Sequence, residues 1–163
     1  MNVDKNNHIK SMRIRNSFLL VLGFLAIGAI GGGVILIISP SGELLGLPLS
    51  EFNNIPFSSF LIPGIILLIV LRIIPSLLIV ALIKKPKSEL AEQINIFNDM
   101  HWSWTYSIYI AFALISWIHI ELIFLQGAVH WLQSFYMFYA ILIIIVALLP
   151  QTRSFYKKEN DIK

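Results

Sequence analysis

The chain has 163 residues, of which 57% are hydrophobic and 13% charged, and its mean hydropathy is +0.79. Soluble domains carry about 45–50% apolar and about 25% charged residues, so the composition excludes a soluble enzyme and a disordered chain. The chain contains no cysteine, which excludes a disulfide scaffold, thiol redox chemistry and thiolate metal ligation. The net charge of +3 matters less than where the charges lie.

Four apolar runs are each long enough to cross a bilayer, which takes about 20 helical residues. We expect the spans at about residues 17–39, 61–83, 102–126 and 131–149. The first run follows a basic segment, but it is longer than the roughly 7–15 apolar residues of a signal peptide, and no small-residue cleavage site follows. The predicted fold class is therefore all-α: a polytopic membrane protein with four transmembrane helices in an antiparallel bundle, in one domain over residues 1–163.

The basic residues divide between the two sides of this arrangement. Eleven of the twelve Lys and Arg residues lie in the N-terminal segment, the middle connection or the C-terminal tail, which share one side. The other two connections carry none. Because basic loops remain in the cytoplasm, both termini are predicted to be cytoplasmic, in a protein of the cytoplasmic (inner) membrane.

Two connections have predicted structure of their own. The apolar residues in the outer loop, residues 40–56, favour a position on the membrane surface or across the outer end of the bundle. In the middle connection, Ser88 is expected to cap an amphipathic helix over about residues 88–98. That helix would rest on the cytoplasmic leaflet.

Arg72 is the single basic residue at the middle of a span, and Glu121 is the single acidic residue within one. A mid-membrane arginine is expected to face the bundle interior or a wet cavity and to have a partner. Because helical side chains lean toward the N terminus, Arg72 and Glu121 would lean toward each other in antiparallel spans. We therefore predict an Arg72–Glu121 pair. It is either a structural ion pair or the charged part of a ligand site walled by Trp117 and His119.

Pro75 follows Arg72 within the same turn. A proline cannot donate a hydrogen bond to the carbonyl four residues earlier, here that of Leu71, so a kink and a free acceptor are predicted beside the charge. Transporters place sites at such broken helices, whereas neighbouring helices accommodate many transmembrane prolines. Both readings stay open at this position.

His119 and Glu121 are the candidates for a catalytic group. They are separated by two positions, so on a helix they point to nearly opposite faces, and the H-x-E sequence is not a metal motif. The sequence contains no complete catalytic set, and we predict no metal and no other cofactor.

The first span carries Gly28 and Gly32 at the spacing of a GxxxG motif, and Ala29 and Gly33 repeat that spacing. Small residues at this interval let helices approach closely, either within the bundle or between protomers. A nucleotide-binding loop is excluded because no strand precedes the glycines and no Lys-Ser/Thr pair follows them. The sequence carries no nucleic-acid signature either.

Three motifs carry a resemblance to a known group of proteins: PSG-x-x-LGLPLS at residues 40–50, PF-x-x-FLIPG at 56–64 and HWLQ at 130–133. The chain resembles small four-span bacterial integral membrane proteins to which no activity is assigned. The resemblance covers nearly the whole chain and implies the four-span topology. The chain is also similar to the emopamil-binding sterol isomerase and sigma-2-type fold in having four spans with acidic and aromatic groups. That similarity has no shared motif, and it transfers no site residue.

Three functions follow from these features. The short loops favour a non-enzymatic accessory, scaffold or sensor subunit. The first alternative is a membrane-embedded protein that binds or isomerises a lipophilic ligand, with Glu121 as acid/base and Arg72 as its electrostatic partner. The second alternative is a small oligomeric transporter or channel that uses the same pair. The expected partners are the bilayer and either a second copy or another membrane protein. An enclosed apolar cavity in the outer half of the bundle that reaches Arg72 would favour ligand binding or catalysis, and a tightly packed interior would favour a scaffold.

Overall fold

The computed structural model describes residues 2–46, 48–49, 58–124 and 131–158, with side chains from residue 12 onward. This part of the chain is helical and contains no strand. In chain order the helices are α1 (Asn2–Ile38), α2 (Leu61–Lys84), α3 (Glu89–Gln93), α4 (Trp102–Phe124), α5 (Trp131–Leu148) and α6 (Pro150–Tyr156). A 3-10 turn, Glu43–Leu45, lies in the described part of the outer loop.

Four of these helices have segments long and apolar enough to cross a membrane. The segments are Met12–Ile38, Leu61–Lys84, Trp102–Phe124 and Trp131–Leu148. Their positions agree with the predicted spans to within a few residues, and the predicted end of the third span at residues 125–126 lies outside the described residues. The fold is compatible with a multi-pass membrane protein.

The long helices pack in two pairs, which meet where the second half of α2 contacts α4 and where α1 contacts α5. Helix α1 packs along the whole of α2, and α4 packs along α5. The second half of α2 contacts α4, whereas its first half, Leu61–Leu68, has at most marginal contact with α4. We call the end where α1 ends and α2 begins the loop end. Space between the helices remains at the loop end because the first half of α2 is held by α1 alone.

A π turn over Ile69–Ile73 interrupts the middle of α2. Pro75 is buried just beyond it and cannot donate to the helical ladder, so the helix is irregular where the proline predicted it. Leu71 is only 3% exposed, and its neighbour Arg72 lies on the outer surface of the bundle.

Helices α1 and α2 approach most closely at a pair of glycines. A Cβ added to Gly33 would lie 2.6 Å from Cγ of Leu68, and one added to Gly64 would lie 2.9 Å from Cβ of Leu36. The two predicted packing residues also face other helices. Gly32 faces Leu67 on α2, and Gly28 faces the hydroxyl group of Tyr136 on α5.

At the other end of the molecule, the middle connection forms a shorter helix than the predicted one. Ser88 caps it, since its Oγ accepts a hydrogen bond from the backbone N of Ala91 at 3.3 Å. The helix stops at Gln93 instead of reaching residue 98. The cause is Asn95, a buried side chain that donates to the carbonyl of Met100 and accepts from Thr105, which ties the connection back onto α4.

The C-terminal segment binds to the same end of the molecule through a backbone hydrogen bond, an ion pair and contacts of cations with an aromatic ring. The backbone N of His101 donates to the carbonyl of Tyr156 at 2.8 Å, and Nζ of Lys158 lies 2.7 Å from Oε2 of Glu92. The guanidinium of Arg15 and the ammonium of Lys85 both lie over the ring of Phe155. The basic N-terminal segment, middle connection and C-terminal tail therefore meet at one end, which we call the basic end.

Candidate functional site

A cavity of about 510 Å³ lies between α1, α2, α4 and α5 at the loop end. This volume falls in the range of small-molecule sites, which is roughly 300–1,000 Å³. Its wall is mostly aliphatic and aromatic, and Leu45 and Phe60 from the outer loop close part of the loop end. The predicted capping of the bundle by this loop is therefore seen at Leu45, while residues 47 and 50–57 lie outside the described part of the chain.

Regular helical spacing builds two of the cavity walls. On α4, Leu114, Trp117, Ile118 and Glu121 recur every three or four residues and so share one face. On α1, the facing residues include Gly28, Ala29 and Gly32. Because these three residues have little or no side chain, this part of α1 leaves room that larger residues would fill.

A small polar cluster lies on this apolar wall. The indole Nε1 of Trp117 donates a hydrogen bond to Oε1 of Glu121, one turn further along α4. The side chain of Gln133, buried on α5, hydrogen-bonds to the same carboxyl group. Tyr136, one turn after Gln133, places its hydroxyl group in the same cavity. The cluster therefore joins one face of α4 to one face of α5.

The cluster retains hydrogen-bonding capacity for a ligand. An ionised carboxyl group offers about four acceptor positions, and Trp117 and Gln133 use two of those on Glu121. The hydroxyl group of Tyr136 has no hydrogen-bond partner among the described residues and is able to donate or accept. The site can therefore receive an apolar molecule with a single hydroxyl or amine group.

The cavity reaches the outer surface of the bundle between α2 and α4. Ile62 and Ile66 on α2 and Ile120 on α4 line the cavity and are also exposed, Ile62 by 60%. These residues border the region where the first half of α2 has little contact with α4. The opening is apolar on both sides, as an entrance from the interior of a bilayer would be.

Arg72 lies outside this site. It is exposed, it does not line the cavity, and it makes no hydrogen bond or ion pair with any described residue. The predicted Arg72–Glu121 pair is not formed. The physical reason is the position of Arg72 directly after Leu71, which belongs to the buried stripe of Leu71, Pro75, Leu78 and Leu82, so that Arg72 points about 100° away from that stripe.

The remaining predicted residues divide between the cavity and the outer surface. Trp117 and Glu121 line the cavity together, whereas His119 is exposed on the other side of α4. His119 therefore does not belong to the cavity wall on which the sequence placed it. This outcome follows from the same helical geometry that separates His119 from Glu121 by about 200°.

Gln133 and Tyr136 are cavity residues that sequence reasoning missed. Their signal is present in the sequence, since Gln133, Tyr136 and Ala140 recur at three- and four-residue spacing along the start of the fourth span. Ala140 is fully buried, and Gln133 nearly so. The chain matches no protein-family model, no curated protein and no solved structure. Its function is therefore argued from the geometry and chemistry of this site.

Proposed function

We propose that this chain is an integral membrane protein that binds a lipophilic ligand in the cavity at the loop end. The ligand carries a hydroxyl or amine group that hydrogen-bonds to Glu121 and Tyr136. The observation that supports this proposal most directly is the apolar cavity of about 510 Å³ with a carboxyl and a hydroxyl group on its wall.

The size of the cavity supports an occupant. Its volume of about 510 Å³ lies in the range of small-molecule sites, and its wall is mostly apolar. Because the cavity opens to the outer surface between α2 and α4, an apolar molecule or a lipid chain is able to enter it from the bilayer.

The polar cluster supports a ligand with a polar group. An ionisable side chain within a span is costly and usually marks a binding or transport site. Glu121 is held by Trp117 and Gln133 in a fixed orientation toward the cavity. A ligand that donates a hydrogen bond would offset part of the cost of the carboxyl group.

The meeting of the basic segments supports the orientation of the protein. Basic residues from the N-terminal segment, the middle connection and the C-terminal tail gather at the basic end, which faces the cytoplasm in this proposal. The cavity then lies in the outer half of the membrane. The protein is then a sensor or accessory subunit of the cytoplasmic membrane. It responds to a molecule that is dissolved in the membrane and binds in the cavity.

The test is a comparison of three probes of equal chain length: hexadecanol, hexadecylamine and hexadecane. Binding to the purified protein is followed by the fluorescence of Trp117 and Trp131, which line the cavity, and by the thermal midpoint of unfolding. The alcohol and the amine should bind about fivefold more tightly than the alkane, since one net hydrogen bond contributes about 1 kcal/mol.

The variants Glu121→Leu and Tyr136→Phe should lose this preference while they still bind the alkane. Ser116→Ala, an exposed position on the same helix, is the matched control and should keep the preference. Equal binding of all three probes to the unaltered protein would contradict the proposal, and so would an unchanged preference in Glu121→Leu.

A further inference from the structure

Arg72 stands on an exposed apolar face of α2. Between Leu61 and Ile83 it is the single charged residue of this helix, and Ser76, one turn later, is also exposed. The apolar residues around it are exposed by 40–70% and face away from the other helices. They are Ile65, Ile69, Ile73, Leu77 and Val80.

The position of Arg72 gives its exposure to lipid a high free-energy cost. It is the twelfth residue of the segment Leu61–Lys84, so its Cα lies roughly 17 Å from either end at about 1.5 Å per residue. That distance is longer than an arginine side chain reaches. An arginine at the centre of a membrane helix is costly, and such residues almost always have a partner or line a water-filled cavity.

No partner for this charge is found within the described chain. Glu121, the acidic residue at a comparable depth, lines the cavity and is held by Trp117 and Gln133. Arg72 itself makes no ion pair or hydrogen bond with any described residue. This charge therefore needs a partner that does not belong to the described residues.

We propose that this face of α2 docks a transmembrane helix of another membrane protein, and that this helix carries Asp or Glu at its middle. The carboxylate would pair with the guanidinium of Arg72 in a low-dielectric environment, and Ser76 would add a hydrogen bond between the helices. The inference is carried by the outer face of α2 and is independent of the ligand cavity.

A second copy of this chain fits the face less well. Packing of α2 against α2 about a two-fold axis would bring two Arg72 side chains together, and like charges repel. The carboxyl group of Glu121 in a second copy would have to leave its own cavity to reach Arg72. A different protein with a free mid-membrane carboxylate meets neither difficulty.

The absence of cysteine makes the test direct, because a single introduced cysteine carries the label. The full chain with Ser154→Cys is labelled with a fluorescence donor and reconstituted into vesicles. Acceptor-labelled leucine-rich transmembrane peptides are added, one with a central Glu and one with a central Leu. Energy transfer reports association.

The Glu peptide should associate at least tenfold more strongly with the unaltered face than with Arg72→Leu, whereas the Leu peptide should not distinguish them. Lys84→Leu removes a cation from the end of the same helix and should leave association unchanged. Equal association of the two peptides would overturn the proposal. So would an unchanged association in Arg72→Leu, or efficient disulfide-linked dimers of Ser76→Cys in the membrane, which would assign the face to a second copy.

Discussion

The indole N–H of Trp117 donates a hydrogen bond to the carboxyl group of Glu121 one turn later on α4. Since both side chains belong to one helix, this contact fixes the direction of the carboxyl group without help from a ligand. Gln133 adds a second hydrogen bond from α5. The polar part of the site is thus oriented in advance, which lowers the entropic cost of binding.

Filling the cavity should abolish binding without unfolding the protein. Ala29 lines the cavity on α1, and Ala29→Leu adds three carbon atoms to the space. We expect hexadecanol binding to fall at least tenfold, while the free energy of unfolding changes by about 1 kcal/mol or less because the new side chain enters a void. Ile27→Leu, on the exposed side of the same helix, is the control and should bind normally. Normal binding in Ala29→Leu would place the ligand elsewhere.

The close approach of α1 and α2 predicts opposite effects for two glycines two positions apart. In Gly33→Ala the new Cβ meets Leu68 at 2.6 Å, so the two helices must separate, at a cost of about 1–3 kcal/mol. In Gly31→Ala the new Cβ meets nothing within 4 Å, so better helix propensity should stabilise the protein by up to about 1 kcal/mol. Denaturant unfolding in mixed micelles measures both. The same sign for both substitutions would refute this packing.

The orientation of the bundle predicts a labelling pattern. Ser41 lies at the loop end and Ser154 at the basic end, and both are exposed. In intact cells a membrane-impermeant thiol reagent should modify Ser41→Cys, and it should modify Ser154→Cys only after the membrane is opened. Because the chain has no cysteine of its own, the unaltered protein is the blank. The reverse pattern would overturn the proposed orientation.

The basic end should lose stability in mild acid. Burial lowers the pKa of His101 below its ordinary 6.5, more than the nearby Glu92 carboxylate raises it. The unfolded chain therefore takes up this proton at a higher pH than the folded chain does. The free energy of unfolding should fall as the pH decreases through about 6.5 toward the folded pKa. The thermal midpoint of His101→Gln should depend less on pH in this range; an equal slope would exclude His101 as the cause.

The long helices and two of the site residues, Trp117 and Glu121, were predictable from the sequence because they depend on local patterns. Apolar run length located the four long helices, and a serine before a helical segment marked the cap at Ser88. Glu121 was predicted as the single acidic residue within a span and Trp117 as a wall residue, and the two share a face at any regular helical pitch. The spacing of His119 from Glu121 also showed that these two cannot act together.

The rest of the fold and of the site depends on contacts between helices. The sequence of one span alone does not determine these contacts. Arg72 is exposed because the inward stripe of α2 runs through Leu71, Pro75, Leu78 and Leu82, and in a helix that is apolar on every side only the neighbouring helices decide which stripe is buried. The role of Gln133 and Tyr136 depends on which face of α5 meets α4. The end of α3 at Gln93 depends on the buried side chain of Asn95, whose partners lie further along the chain.

The central claim is that the cavity beside Glu121 holds a lipophilic ligand, and photoaffinity labelling tests it most directly. A long-chain alcohol with a diazirine on its chain is activated in membranes that contain the full protein, and the modified residues are mapped by mass spectrometry. The account predicts adducts on cavity residues of α2 and α4 such as Leu67, Leu114 and Ile118, and excess hexadecanol should suppress them. Adducts confined to exposed outer positions such as Leu20, Ile27 and Phe138, with no suppression by hexadecanol, would contradict it.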